Sequence, residues 1–262
     1  MQWSGPLPSR MWAGHLNIAE EGEEDQMLFY WFCEAEQTDP ATSPVALWTN
    51  GGPGSDSLGG FFTELGPFVA NEHDDGATLR RNPYTWNLIA NVLYLTHPTG
   101  IGYSYSADDV NVHTDESDGE DNAKFLRKFF AAYPEFASND FWLTGESYAG
   151  IYIPMTAAEI SKGNDLGLEP HINLVGLFVG NGCTGNKTPS CGESDPDDAT
   201  PLLHTSSGQR LRVLWGHAMI SDALYESVVE ACPTQISMIP DCMVTTTLPE
   251  CGVVSPNFNS DR

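Results

Sequence analysis

The sequence predicts an α/β fold built on a central mixed, mostly parallel sheet. Short apolar runs of strand length recur along the chain, and longer helical or loop segments separate them, as in chains whose strands alternate with helices. With 262 residues, 40% of them hydrophobic and 11% aromatic, the chain can bury the core of one large domain. The predicted strands are, in order, Gln26–Phe32, Val45–Trp48, Val92–Leu95, Phe141–Leu143 and Leu174–Val179.

An amphipathic helix is predicted between the third and fourth of these strands. Leu126, Phe129 and Phe130 recur at the spacing of one helix face within Gly119–Tyr133. Pro134 follows at once and ends the pattern, because proline cannot donate the next helical hydrogen bond. We expect the apolar face of this helix to cover the sheet.

The sequence changes character beyond Asn181, where Thr, Pro, Gly and Asp dominate. Such a composition indicates that the chain leaves the regular core. Ile220, Leu224 and Val228 then recur at helical spacing and predict a further helix. We expect residues 1–182 to belong to the core of the fold and residues 183–262 to form a segment inserted into it.

The segment Gly145–Gly150, GESYAG, is a variant of the G-x-S-x-G motif in which Ala149 takes the place of the second glycine and Gly150 follows it. It comes directly after the predicted strand that ends at Leu143. In a nucleophile elbow the chain reverses sharply from strand to helix, so small residues are needed two before and three after the serine. This arrangement exposes the hydroxyl of Ser147. The downstream helix is indicated by Ile151, Met155 and Ala158 at helical spacing, with Pro154 early enough to be tolerated.

A second glycine-rich loop, Asn50–Gly54, follows the predicted strand Val45–Trp48. Glycines let backbone amides approach a ligand closely, so this loop can supply donors to a developing oxyanion. Either motif alone also fits an ordinary tight turn. Their order and spacing together favour a serine hydrolase.

Several further motifs make the chain resemble the serine carboxypeptidase family between Gly5 and about Ser227. No single motif is sufficient, but all occur in the order of that family. They are WTNGGPG (Trp48–Gly54), ELGPF (Glu64–Phe68), NPYTWN (Asn82–Asn87), ANVLYLTHPTGIGYSYS (Ala90–Ser106), GESYAGIYIP (Gly145–Pro154) and VGNG (Val179–Gly182).

The resemblance implies the α/β-hydrolase fold with an inserted cap, and release of C-terminal amino acids from peptides through an acyl-enzyme. It assigns the nucleophile to Ser147 and the oxyanion donors to the backbone amides of Gly52 and Tyr148. It also implies a set that binds the substrate carboxylate, namely Asn50, Gly51, Glu64 and Glu146. No cofactor and no metal is implied.

The paired glutamates Glu64 and Glu146 predict an acid pH optimum. Two carboxyl groups held close together share a proton, and one pKa then rises well above the ordinary value of about 4.3. The pair can then donate a hydrogen bond to a substrate carboxylate at acid pH, and it repels that carboxylate near neutrality.

The partners of the serine are not identified by the same motifs. In this fold the catalytic acid and histidine follow the serine along the chain, and the resemblance places both beyond the cap. We therefore expect them to lie beyond Arg262. Three histidines do follow Ser147, and they are His171, His204 and His217. Chain order alone also permits a triad of Ser147 and His217 with an acid among Asp195, Asp197 and Asp198.

Two other functions are open at this stage. An acyltransferase on the same scaffold needs the serine but not the paired glutamates, so Glu64 and Glu146 favour the peptidase. A non-catalytic remnant would keep the serine without its base and act as a binding protein.

The chain departs from the family pattern at several positions near the site. Ser55 and Asp56 stand where the family usually has cysteine and serine, which implies the loss of a disulfide to a downstream segment. Thr96 and His97 replace an acidic residue and its neighbour, and Thr49 replaces a leucine. We expect His97 to pack near the site rather than to act in it.

The net charge and the targeting signals limit which classes of partner and which cellular compartments are expected. Thirty-six acidic against eleven basic residues give a formal charge of −25, which excludes nucleic acid and anionic membrane surfaces as expected partners. No apolar run is long enough to span a membrane. Met1–Arg10 lacks the apolar centre of a signal peptide, whereas Leu7–Ile18 resembles the start of a mature carboxypeptidase. We expect a vacuolar or lysosomal location, or secretion, and peptide or protein C-termini as partners.

The cysteines point to disulfides rather than to a metal. Cys33 stands alone, and no C-x-x-C pair or ligand set typical of zinc occurs. A glycosylation sequon at Asn186–Thr188 is compatible with a secretory route. The cysteines of the last third are Cys183, Cys191, Cys232, Cys242 and Cys251.

Overall fold

The computed structural model describes residues 2–107, 112–183 and 206–231. The chain divides into two compact units, residues 1–183 and residues 184–262. Some sequence features lie outside the described residues: the sequon Asn186–Thr188, His204, the aspartates Asp195, Asp197 and Asp198, and the cysteines Cys191, Cys232, Cys242 and Cys251.

The first unit is built on a mixed sheet in which seven strands are described. They are β1 Met11–Asn17, β2 Gln26–Cys33, β3 Val45–Thr49, β6 Asn91–Leu95, β7 Tyr105–Ser106, β8 Phe141–Glu146 and β9 Leu174–Gly180. Their order in the sheet is β1-β2-β6-β3-β8-β9, with β7 beside β2. The pairs β6–β3, β3–β8 and β8–β9 are parallel, whereas β1–β2, β2–β6 and β2–β7 are antiparallel. A separate hairpin pairs β4 Phe68–Ala70 with β5 Leu79–Arg81.

All five predicted strands are confirmed, each within three residues of its predicted ends. β1, β4, β5 and β7 were not among the predicted strands. In β1, Gly14 and polar residues interrupt the apolar pattern, and the strand forms because it pairs with β2 along its whole length, from Met11 opposite Cys33 to Asn17 opposite Met27. A neighbouring strand, rather than local preference, fixes such an element.

The predicted amphipathic helix is α2, Asp115–Ala132, and it begins four residues earlier than predicted. Thr114 caps it: its hydroxyl accepts from the Ser117 amide at 3.2 Å, while the Ser117 hydroxyl accepts from the Thr114 amide at 2.9 Å. Acidic residues in the first turn favour the same start, because they face the positive end of the helix dipole. The helix ends before Pro134, as predicted.

The helix predicted after Ser147 is α3, Ala149–Asp165. Tyr152, Ile153 and Ile160 are buried, whereas Ala158 is exposed. The apolar spacing in the sequence therefore indicates the helix without marking its most buried residues. The phase of the helix is set where α3 leaves the elbow and packs on both α2 and the sheet, and a short apolar pattern does not encode that contact.

The core consists of two apolar clusters on opposite faces of the sheet. Along β2, Tyr30 and Phe32 belong to one cluster, and Trp31 and Cys33 lie in the other, as the alternation of a strand requires. The first cluster includes the apolar faces of α2 and α3 and confirms that α2 covers the sheet. The second lies under the short helix α1, Leu58–Thr63.

In the second unit the described residues form α4, Ser206–Gly216, and α5, Asp222–Ala231. The helix predicted from Ile220, Leu224 and Val228 is α5, which begins two residues after Ile220, and α4 was not predicted. The Trp215 and Tyr225 rings stack at 4.4 Å between centroids, and the Trp215 indole donates to Asp222 at 2.7 Å.

The two described cysteines differ in state. Cys183 is disulfide-bonded, whereas Cys33 is a buried free thiol whose pKa is raised well above its ordinary value by burial. Within the described residues no helix combines the length and the apolar character that crossing a bilayer requires.

Candidate active site

Ser147 lies in the sharp turn between β8 and α3, with its side chain exposed. Its φ of +57° is in the left-handed region that residues with a side chain rarely adopt. Two backbone bonds hold the turn: the Ser147 amide donates to the Gly180 carbonyl at 2.9 Å, and the Cys183 amide donates to the Ser147 carbonyl at 2.8 Å. This is the strained strand-to-helix turn that the G-x-S-x-G motif predicts.

The two glycines of the motif are required by close backbone contacts. A Cβ on Gly145 would lie 2.4 Å from the carbonyl oxygen of Thr49, on the neighbouring strand. A Cβ on Gly150 would lie 2.1 Å from the carbonyl oxygen of Cys183. A side chain at either position would force the elbow apart, as expected for residues two before and three after the serine.

The Asn50–Gly54 loop packs directly against the elbow. A Cβ on Gly51 would lie 2.4 Å from the amide nitrogen of Tyr148 and 2.8 Å from the Cβ of Ser147. Gly52 has a φ of +119°, which glycine alone adopts readily. In the described part of the chain the amides of Gly52 and Tyr148 donate no hydrogen bond, so both donors are available to a ligand beside Ser147.

Asn50, Glu64 and Glu146 form one hydrogen-bonded group next to the serine. The Asn50 side-chain amide donates to Glu146 Oε1 at 2.9 Å and to Glu64 Oε1 at 3.1 Å. Its carbonyl oxygen accepts from the Trp48 indole at 3.0 Å and from the Gly60 amide at 2.9 Å, which fixes the orientation of the side chain. Residues far apart in sequence therefore meet here, with Asn50 bridging the two carboxyl groups.

The environment of Glu64 favours its protonated form. Partial desolvation of the carboxyl group is the largest cause of a raised pKa, and the charge of Glu146 adds to it, while the bond from Asn50 opposes it. Glu64 is nevertheless exposed at the surface, so a ligand can reach its carboxyl group.

A cavity of about 540 Å³ opens beside the Asn50–Gly54 loop. Pro53, Gly54, Tyr148 and Tyr152 line one part of it, and Asp115, at the start of α2, lines another. The Tyr148 hydroxyl donates to Asp115 at 3.0 Å, and burial raises the pKa of that hydroxyl.

Comparison with known protein families decides the assignment. The family model for serine carboxypeptidases matches residues 2–255 of the chain. The chain belongs to the serine carboxypeptidase family. It is 48% identical over 173 residues to the lysosomal protective protein of Mus musculus, covering 66% of this chain and 34% of that protein. It is 38% identical over 234 residues to serine carboxypeptidase-like 20 of Arabidopsis thaliana, covering 88% of this chain and 43% of that protein.

Among solved structures, the chain is similar to Kex1Δp, a prohormone-processing carboxypeptidase from Saccharomyces cerevisiae. The TM-score is 0.66 at 26% identity, over 85% of this chain and 46% of that one. The sheet, the elbow and this similarity together establish the α/β-hydrolase fold. The chain spans less than half the length of the family members it matches here.

The departures from the serine carboxypeptidase pattern are linked to one another in the structure. The buried Thr96 hydroxyl donates to Asp56 Oδ1 at 2.8 Å. The resemblance implies a hydroxyl at position 56 and an acid at position 96, whereas this chain has an acid at position 56 and a hydroxyl at position 96. The exchange keeps a hydroxyl-to-carboxylate hydrogen bond between the two positions.

His97 packs near the site, as expected, and pairs with a buried acid. It is 2% exposed, and its Nδ1 lies 2.9 Å from Asp118 Oδ1 and 3.2 Å from the amide nitrogen of Asn122. Its ring meets the Tyr152 ring edge-on at 4.9 Å between centroids. The sequence analysis did not single out Asp118 or Tyr152, although Tyr152 lies within the GESYAGIYIP motif.

Among residues 2–107 and 112–183 no histidine is hydrogen-bonded to the Ser147 hydroxyl. His171 is exposed in the loop before β9. His217 directly follows α4, and its Nδ1 donates to the Val213 carbonyl at 2.8 Å. Among the described residues no three histidine, cysteine or carboxylate side chains are grouped closely enough to hold a metal ion.

Proposed function

We propose that this chain carries the nucleophile and the substrate-binding groups of a serine-type carboxypeptidase that works at acid pH. The observation that carries the proposal is the group formed by Asn50, Glu64 and Glu146 beside the Ser147 elbow. A site that cleaves only the last peptide bond must recognise a free carboxylate next to the scissile bond. This group can do so with the Asn50 amide and a protonated glutamate.

In the proposed reaction the Ser147 hydroxyl attacks the carbonyl of the last peptide bond. The amides of Gly52 and Tyr148 hold the developing oxyanion, and the loss of one such donor typically costs about 3 kcal/mol of barrier. The C–N bond then breaks, the C-terminal amino acid leaves with a proton on its nitrogen, and water hydrolyses the acyl-enzyme. We assign neither the general base nor its acid to a residue of the first unit.

Acid pH favours the proposed recognition. The raised pKa of Glu64 keeps its carboxyl group protonated to higher pH than an ordinary glutamate, so that it donates to the substrate carboxylate. As pH rises through that pKa, the glutamate ionises and repels the carboxylate. Peptide cleavage should therefore decline towards neutrality.

An acidic compartment of the secretory route suits such an enzyme, and we propose a lysosomal, vacuolar or secreted location. The formal charge of −25 implies strong self-repulsion that falls as carboxylates protonate. A name among the relatives, the lysosomal protective protein, is consistent with this location. Disulfides among the cysteines of the last third and a glycan at Asn186 are part of the same proposal.

An acyltransferase reaction would use the same elbow but transfer the acyl group to an alcohol instead of water. The Asn50-bridged glutamates favour the peptidase, because their arrangement suits a free carboxylate. A binding protein without catalysis would keep this recognition and lack turnover.

The test measures release of the C-terminal amino acid from a blocked dipeptide between pH 4 and 8. It compares the 262-residue chain with Ser147→Ala, and the dipeptide amide serves as the control substrate. Acid-favoured release that disappears in the variant supports the proposal and places the base within these residues. Binding that prefers the carboxylate to the amide, without release, supports the recognition and assigns the base to further sequence. Folded protein that neither releases nor discriminates contradicts the proposal.

A further inference from the structure

The Asn50–Gly54 loop is fixed at both of its ends by side chains. At its start the backbone amide of Asn50 donates to the Ser57 hydroxyl at 3.2 Å. The side-chain oxygen of Asn50 accepts from the Trp48 indole and from the Gly60 amide. At its other end the Gly54 amide donates to the phenol oxygen of Tyr152 at 3.0 Å. The proposed oxyanion donor, the amide of Gly52, lies between these two anchors.

Such anchors matter because three of the five residues of the loop are glycines, at 51, 52 and 54. Gly52 and Gly54 have φ angles of +119° and +81°, and glycine adopts many conformations at similar free energy. An oxyanion donor must point at the reacting oxygen from about 3 Å to be effective. The direction of the Gly52 amide therefore depends on what holds the residues on either side of it.

Tyr152 is well suited to hold the second end. It is 4% exposed and lies on α3, the helix that begins directly after the nucleophile. Its ring contacts those of His97 and Tyr148 edge-on, at 4.9 and 5.2 Å between centroids, and the buried Asp118 holds His97 in turn. Burial raises the pKa of Tyr152 to about 12, so the phenol is neutral at any working pH.

We propose that Tyr152 is a positioning residue for the oxyanion donors, whose phenol oxygen ties the Asn50–Gly54 loop to the helix that carries the nucleophile. The loop and Ser147 then keep a fixed relation, because both are attached to α3. This role rests on the proposed function, because only that function makes the Gly52 amide an oxyanion donor.

The experiment replaces Tyr152 by phenylalanine, which keeps the ring and removes only the acceptor. Tyr133→Phe is the matched control, because its hydroxyl lies 2.8 Å from that of Tyr30 and has no contact with the loop. We expect hydrogen exchange at the Gly54 amide to accelerate about tenfold in Tyr152→Phe. We expect kcat for the blocked dipeptide to fall about tenfold with KM within about twofold, as for a donor acting in the transition state. Tyr133→Phe should change neither.

The outcomes separate this proposal from the proposed function. If the parent chain shows no turnover, the activity test fails on its own, and the exchange rate of Gly54 still decides whether Tyr152 holds the loop. Unchanged exchange at Gly54 in Tyr152→Phe overturns the proposal. So does a rise in KM with kcat unchanged, or an equal effect of Tyr133→Phe, since either would indicate a general structural role.

Discussion

At the scale of single residues, the site depends on an unfavourable backbone conformation at Ser147, and neighbouring glycines make room for it. Ser147 is held at a positive φ, which costs a non-glycine residue about 1–2 kcal/mol. The turn persists because Gly145 and Gly150 allow the Thr49 and Cys183 backbones to approach within distances that exclude a side chain. The spacing of these glycines is visible in the sequence, so the elbow could be predicted from it.

Glu64→Gln should make carboxylate binding less dependent on pH. In the parent chain the affinity for a blocked dipeptide should fall as pH rises through the raised pKa of Glu64, because the acid form donates and the charged form repels. Glutamine stays neutral and keeps an oxygen for the Asn50 amide. Between pH 5 and 7 we expect a loss of about tenfold in the parent and at most about threefold in the variant. Calorimetric titration measures both.

Glu72→Gln is the control for charge alone, because Glu72 is exposed in the turn Glu72–Asp74. The dipeptide amide is the control ligand. A parent chain that binds the amide with the same pH dependence as the carboxylate would contradict the role of Glu64.

The exchanged pair at positions 56 and 96 should behave as one unit. Thr96→Asp alone places a second carboxylate against Asp56 in a buried position, so we expect it to lower the free energy of unfolding by about 2 kcal/mol or more. Asp56→Ser added to it restores a hydroxyl-to-carboxylate bond in the opposite direction. The coupling in the double-mutant cycle should be about 1–3 kcal/mol, measured by urea unfolding. Additive effects would show that the two positions do not interact.

At the scale of elements, strands with continuous apolar runs were predictable and elements defined by their partners were not. The buried strands β3 and β6 are apolar in nearly every position and were recognised at once. β1 and the β4–β5 hairpin form through pairing, which no local pattern announces. The start of α2 was missed because a Thr-to-Ser capping box, rather than the apolar face, sets it.

β9 is an edge of the described sheet, with β8 as its only described neighbour. Val175, Leu177 and Phe178 on this strand are 44–49% exposed. An apolar strand edge with unpaired backbone groups favours pairing with another chain. We therefore expect the 262-residue chain to self-associate, and Leu177→Lys to reduce this association about tenfold or more in sedimentation velocity.

Ile89→Lys is the matched control for that experiment, because Ile89 is 65% exposed, lies outside the strands and gains the same charge. An equal effect of both variants would assign the association to net charge. A parent chain that is monomeric at all concentrations would show the expectation to be wrong.

At the scale of the whole molecule, the excess of acidic over basic residues makes the self-repulsion of the chain depend on pH. With eleven basic against thirty-six acidic residues, most carboxylates have no cation to pair with, so the folded chain carries strong self-repulsion. The pairs that do form in the described residues include Arg10 with Glu34, at 2.5 Å. Lower pH protonates the unpaired groups and relieves the repulsion, which is consistent with the acid range in which the proposed carboxylate recognition operates.

The sequence by itself determined the fold class, the main strands and the elbow at Ser147, because apolar periodicity and glycine spacing are local properties of the chain. The family could be inferred from the sequence as well, through the resemblance of several short motifs in a common order. Only the tertiary structure decided which residues meet across the sheet. It brought Asn50 between Glu64 and Glu146, paired Asp56 with Thr96, and set Tyr152 against Gly54. These contacts join residues 14 to 98 positions apart, and their geometry follows from sheet order and helix phase, which short-range patterns do not specify.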